Sequence, residues 1–155
     1  MKKLISIIMG SKSDLGTVEE AINLLKEFRV SFEVKILSAH RMPERLASYV
    51  KQASQGGIKI FIAAAGKAAA LPGVIAAHTH LPVIGIPVET KSLKGLDSLL
   101  SIVQMPAGVP VGCMAIGKGG ARNSAIFALQ ILALHDKRIA SKLLTFKRRL
   151  ARPVK

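Results

Sequence analysis

Short, uninterrupted apolar runs alternate with helix-period stretches along nearly the whole chain, and few architectures accommodate that order. Leu4–Met9 is the first run, followed by Val18, Ala21, Ile22, Leu24, Leu25 and Phe28 at helical spacing. Phe32–Leu37 reads as a second strand. Pro43 suits the first turn of a helix that Leu46, Tyr49, Val50 and Ala53 continue. Ile58–Ala63 is a third strand, and the alanine-rich segment from Ala68 to His80 reads as helical. Pro82–Val88 is a fourth strand, Leu96–Val103 a short helix and Val109–Ile116 a fifth strand. Ala121–Leu134 is an apolar helix and Asp136–Leu150 a basic one. Strands without polar alternation are buried on both faces, which implies a parallel sheet covered by helices. With right-handed crossovers the expected fold is α/β: a doubly wound, flavodoxin-like three-layer sandwich with a central parallel sheet. Residues 1–155 read as one domain with no linker or repeat, ending in a basic helix and tail at about 136–155.

Half of the residues are apolar, but there are only five Phe, one Tyr and no Trp, so the core is aliphatic. Cys113 is the single cysteine, which excludes an internal disulfide and a cysteine-based zinc site. No apolar run is long enough to span a membrane. Met1–Met9 begins like a signal peptide, yet it is short and enters a Gly-Ser turn, so a cytoplasmic protein is expected. The net charge is +14, and Lys137–Lys155 supplies eight basic residues and no acid. The remainder has 15 basic and 9 acidic residues, a modest excess. No aromatic stacking platform accompanies the charge, so nucleic acid is not expected as a partner.

In doubly wound sheets, ligands bind beyond the carboxyl ends of the strands. Polar, glycine-rich punctuation falls there at Gly10–Asp14, Ser38–Pro43, Ala64–Lys67 and Gly117–Gly120. Ser11 and Ser13 offer hydroxyls and helix-start N–H groups to a phosphate. Asp14 either accepts from ribose hydroxyls or caps the helix. His40 can exchange a proton near neutral pH, and Arg41 beside it matches a phosphate; a capping His and a surface Arg are the alternative. Gly117–Gly120 is a second candidate anion nest, with Lys118 and Arg122 beside it, or a plain turn. His78 and His80 lie two apart and face different ways on a helix, so no metal is expected. The apolar helix holding Ile126, Phe127, Leu129, Ile131 and Leu132 must be covered on more than one side, which suggests oligomerisation.

The chain resembles the PurE family of purine biosynthesis over residues 4–145. The segments that carry the resemblance are Met9–Asp14, Ser38–Pro43, Ala70–Gly73, Pro82–Val88, Gly95–Pro106, Gly108–Val111, Ala115–Gly117 and Asn123. The resemblance implies a homo-octamer of flavodoxin-like subunits acting on a small-molecule ribonucleotide, without metal or organic cofactor. It implies a mutase that moves a carboxylate from N5 of N5-carboxyaminoimidazole ribonucleotide to ring carbon C4. The family's catalytic histidine falls on His40. Its substrate-binding residues fall on Ser11, Asp14 and Arg41, with Ser13 and Ser38 nearby. Gly66, Lys67, Ala70 and Leu71 belong to the third loop of the same site. Protonating the carbamate releases CO2, which needs a dry pocket; Ala63, Ala64, Ala65, Gly66, Ala68, Ala69 and Ala70 can line one.

That third loop departs from the mutase pattern. Ala-Gly-Gly-Ala-Ala-His-Leu-Pro-Gly is usual there, whereas this chain has Lys67 for a glycine and Ala70 for the histidine. The family's other type, a carboxylase that joins free CO2 to aminoimidazole ribonucleotide, carries an arginine where Lys67 stands. Mutase is the first reading and direct carboxylase the second. The third is a catalytically weak relative that binds polyanions through its basic tail.

Overall fold

The computed structural model describes residues 2–151. In chain order the elements are β1 (Ile5–Met9), α1 (Leu15–Phe28), β2 (Phe32–Ile36), α2 (Pro43–Gly56), β3 (Ile60–Ala65) and α3 (Leu71–Ala77). They continue as β4 (Val83–Pro87), α4 (Leu96–Val103), β5 (Gly112–Cys113), α5 (Gly117–Ala133) and α6 (Lys137–Leu150). The described residues form one parallel sheet in the order β2-β1-β3-β4-β5. This is the flavodoxin-like arrangement expected from the alternation of runs.

The side-chain period of a strand sorts the sheet residues between two cores. Ile5, Ile7 and Met9 of β1, with Ile60 and Ile62 of β3, face α1, α5 and α6. Ile8, Phe61 and Ala63 face α2, α3 and α4. Gly85 in β4 lets two helices approach, because a Cβ there would lie 2.5 Å from Ile102 of α4 and 3.4 Å from Pro72 of α3. Burial of both faces of β1, β3 and β4 accounts for their unbroken apolar runs.

Three expectations need correction. The fifth strand shrinks from Val109–Ile116 to two residues, since Pro106 and Pro110 lack N–H donors and the chain turns at Gly108, φ +92°. Ala68–Ala70 are not helical despite alanine's propensity; Lys67 takes φ +60°, and Ala69 and Ala70 bond two residues back before α3 begins. Gly117–Gly120 is the first turn of α5, not a loop before it. A Cβ on Gly120 would lie 1.6 Å from the Ala115 carbonyl, so this glycine serves a close backbone approach. No helix among the described residues is long and apolar enough to cross a membrane. Of the basic tail, residues 152–155 lie outside the described residues, as does Met1.

Candidate active site

Four loops at the carboxyl ends of β1, β2, β3 and β4 meet around one open cleft of about 1090 Å³. Its volume is at the upper end of the range usual for small-molecule sites. Gly10, Ser11, Ser13 and Asp14 come from the first loop, and Ser38, Ala39, His40 and Arg41 from the second. Ala65–Leu71 come from the third, and Val88–Ser92 with Asp97 from the fourth. Ser11, Ser13, Asp14, Ser38, His40, Arg41, Gly66, Lys67, Ala70 and Leu71, all expected from the sequence, therefore line the same cleft.

The first loop is held by a capping box. The Ser11 hydroxyl accepts the Ser13 N–H at 3.3 Å, and the Asp14 carboxylate accepts the Ser11 N–H at 3.2 Å. The Ser13 hydroxyl donates to Ser11 Oγ at 2.9 Å. Asp14 thus does cap, while one edge of its carboxylate remains on the cleft. Burial pushes its pKa above the ordinary aspartate range; the Ser11 N–H, the Ser13 hydroxyl and the Arg41 charge each pull against that rise.

In the second loop Ser38 is buried and shapes the turn. Its hydroxyl accepts the Arg41 N–H at 3.3 Å, and its carbonyl accepts the Met42 N–H at 2.9 Å. Arg41 Nη2 reaches back to the Gly10 carbonyl at 3.1 Å, tying the second loop to the first. His40 sits exposed on this turn, with no side-chain hydrogen bond to any described residue. An imidazole on this turn, in the same cleft as the Arg41 guanidinium and the Asp14 carboxylate, can exchange a proton with a ligand bound there.

The third loop supplies small apolar surface from Ala65, Ala68, Ala69 and Ala70. Ala63 and Ala64 do not reach the cleft; they are fully buried within β3. The lining is therefore apolar on one wall only, and the cleft of the single chain is not the closed, dry pocket expected. Lys67 carries its side chain from a left-handed backbone, which costs an L-residue about 1–2 kcal/mol.

Glu89, Thr90, Lys91, Ser92 and Asp97 line the cleft without having been singled out from the sequence. The signal was there: Val88–Ser92 is polar punctuation after β4, at the same end of the sheet as the other loops. Thr90 donates to Asp97 Oδ1 at 2.8 Å and accepts the Gly95 N–H at 3.1 Å, bracing that loop. Gly117–Gly120, Lys118 and Arg122 are not part of the cleft. Arg122 instead pairs with Glu20 at 3.5 Å and stacks on Phe146. Cys113 also lies elsewhere, and burial raises its thiol pKa, which leaves it a poor nucleophile.

Comparison with known proteins bears on this geometry. A protein of Vibrio parahaemolyticus named N5-carboxyaminoimidazole ribonucleotide mutase is 54% identical over 143 residues, covering 92% of this chain and 89% of its own. A protein of the same name from Pyrococcus horikoshii is 52% identical over 153 residues, covering 99% and 85%, so that match extends through the basic α6. The crystal structure of Treponema denticola PurE superposes with a TM-score of 0.87 at 29% identity, covering 96% of this chain and 92% of that one. The family described as AIR carboxylase matches residues 4–152, nearly end to end. The fold, the order of the loops and these matches agree, and the chain belongs to the AIR carboxylase, or PurE, family.

Proposed function

We infer that the cleft binds a 5-aminoimidazole ribonucleotide and that the chain moves its carboxylate from N5 to ring carbon C4, a step of purine biosynthesis. Relatives that bear the mutase name at 54% and 52% identity support this activity. The observation that carries the assignment of residues is the convergence of His40, Arg41 and the Ser11–Asp14 capping box on one cleft. Arg41 and the serine-rich turn take the phosphate, and Asp14 accepts from the ribose hydroxyls. Ser38 holds the turn that presents His40. His40 donates a proton to N5, the N–C bond breaks and CO2 is released. C4 then attacks CO2, and the C4 proton returns to His40, so one imidazole serves both steps.

Gly66, Lys67, Ala70 and Leu71 form the wall beside the reacting carbon. We propose a cytoplasmic homo-octamer on the family resemblance; the apolar side chains that the single chain leaves exposed on α4 support association. No nucleic acid partner is proposed: Lys142 and Arg149 of the basic α6 bind the Phe28 carbonyl and Glu27 of α1, which ties that helix into the fold.

The test is His40→Asn, which keeps a side chain able to hydrogen-bond and removes the imidazole that exchanges the proton. Binding of the aminoimidazole ribonucleotide is expected to stay within a few-fold, while turnover falls by roughly 10²- to 10⁴-fold. Near-normal turnover would refute the role of His40. The wild-type chain is expected to convert the N5-carboxylated nucleotide without added bicarbonate; a strict requirement for bicarbonate would identify the direct carboxylase instead.

A further inference from the structure

Cations stand on both sides of the cleft, and the topology dictates where they lie. Loops after β1 and β2 share one side and carry Arg41, anchored to Gly10. Loops after β3 and β4 share the other and carry Lys67 and Lys91, together with Glu89 and with Asp97, whose carboxylate is held by Thr90. A ribonucleotide that bears a phosphate at one end and a carboxylate on its heterocycle has two anionic groups well separated. With the phosphate at Arg41, the carboxylate falls towards Lys67 and Lys91, where only a fixed cation can single it out against Glu89 and Asp97.

Lys67 and Lys91 are not held alike. Lys91 stands on an exposed turn. Lys67 is held by α4: its N–H donates to Ser98 Oγ at 3.0 Å, while the Ser101 hydroxyl, which donates to the Asp97 carbonyl at 2.8 Å, comes within 3.3 Å of the Lys67 carbonyl. Ser98 is fully buried and does not line the cleft. Its own hydroxyl donates to the Val88 carbonyl at 2.8 Å, at the end of β4. One buried hydroxyl therefore locks the third loop to the fourth and holds Lys67 in a conformation that lysine rarely adopts. A flexible ammonium is a poor positioning device unless its backbone is fixed.

We propose that Lys67 binds the carboxylate in transit and that Ser98, which touches no substrate, is the positioning residue that sets where the Lys67 ammonium lies. This rests on the assignment of the cleft given above. It adds a specificity determinant that distinguishes carboxylated from uncarboxylated nucleotide.

The experiment measures equilibrium binding of the C4-carboxylated and the uncarboxylated aminoimidazole ribonucleotide to the full chain. Wild type, Lys67→Met, Ser98→Ala, Ser101→Ala and the double variant Lys67→Met with Ser98→Ala are compared. Lys67→Met is expected to weaken the carboxylated ligand about tenfold and leave the other within about twofold. Ser98→Ala and the exposed, milder Ser101→Ala are expected to show the same selectivity at smaller size. Ser98→Ala should add little once Lys67 is gone. Equal losses on both ligands, or none, in Lys67→Met overturn the proposal, as does an undiminished Ser98→Ala effect in the double variant. If Ser98→Ala does not fold, Ser98→Cys, nearly the same size and a weaker acceptor for the Lys67 N–H, takes its place, and the absence of selectivity there overturns the positioning claim. Failure of wild type to bind either nucleotide would sink the cleft assignment itself, whereas normal Lys67→Met behaviour beside an inactive, ligand-binding His40→Asn sinks only this proposal.

Discussion

Ser6 is a fully buried hydroxyl in the middle of an apolar strand, and its neighbours explain why it is tolerated. Its Oγ lies 2.5 Å from the Tyr49 hydroxyl, which donates in turn to Glu33 Oε1 at 2.5 Å. Lys35 completes the group, 3.6 Å from Glu33 and over the Tyr49 ring. Three elements, β1, β2 and α2, are thus joined by one polar chain. Tyr49→Phe strands the buried Ser6 hydroxyl and is expected to cost about 1–3 kcal/mol in urea unfolding. The pH dependence has a definite sign. Burial, then the hydrogen bond to Glu33, raises the Tyr49 pKa, so the folded chain keeps its proton after the unfolded chain has lost it. This contribution is complete below the ordinary tyrosine pKa of about 10 and declines as pH rises above it. Tyr49→Phe should remove that alkaline slope; a slope unchanged in the variant would show that other groups produce it. At this scale the sequence announced Tyr49 only as part of a helical stripe, because hydroxyl partners 16 and 43 residues away leave no local pattern.

Helix α5 shows what element-level reading captures and misses. Its glycines were legible as punctuation, and helix existence was legible from the apolar stretch after them. Which glycine matters was not, because that depends on where the Ala115 carbonyl passes. Gly119 faces open space, while a Cβ on Gly120 would meet that carbonyl at 1.6 Å. Gly119→Ala is therefore expected to stabilise the chain by up to about 1 kcal/mol through helix propensity. Gly120→Ala must displace the link from β5 to α5 and is expected to cost about 3 kcal/mol or more. Denaturant unfolding of the two variants checks the contrast, and equal effects would mean that the close approach is absent. The same physics governs the other element-level differences. Buried strands and amphipathic helices depend on periodicity, which a sequence displays, so β1, β4, α4 and α6 fell within a residue or so of expectation. Ala68–Ala70 depend on two serines of α4 that hold the Lys67 backbone, and β5 on prolines that break an edge. The cleft divides in the same way. Its first three loops carried serine, histidine, arginine and lysine after strands and were legible; Glu89–Ser92 follow the same rule and needed only the fourth strand to be read one step further.

At the scale of the whole molecule, the chemistry and the single chain are in conflict. Released CO2 has no charge by which a protein can hold it, so it must be confined, yet the cleft of one chain is open and has a single apolar wall. The α4 surface suggests how the conflict is resolved. Leu96, Leu100 and Val103 fall on one helical face, opposite the buried Ser98 and Ile102, and remain 51%, 51% and 49% exposed. Leu93, 57% exposed, continues the patch beside Ser92 and Asp97 at the rim of the cleft. Covering such side chains contributes about 1.5–3 kcal/mol for each one fully buried, less for residues already half-covered, and a closed assembly repeats the gain in every copy. Association through this face would also bring protein to the open side of the cleft. Leu100→Lys places a charge in the middle of the patch without touching the core. It is expected to reduce the assembly mass in light scattering while leaving far-UV dichroism unchanged. With the rim uncovered, CO2 escapes, so the variant should accumulate uncarboxylated aminoimidazole ribonucleotide from the N5-carboxylated substrate. An unchanged mass would remove α4 from the interface, and a smaller assembly with intact carboxylate transfer would show that confinement is achieved within the single chain.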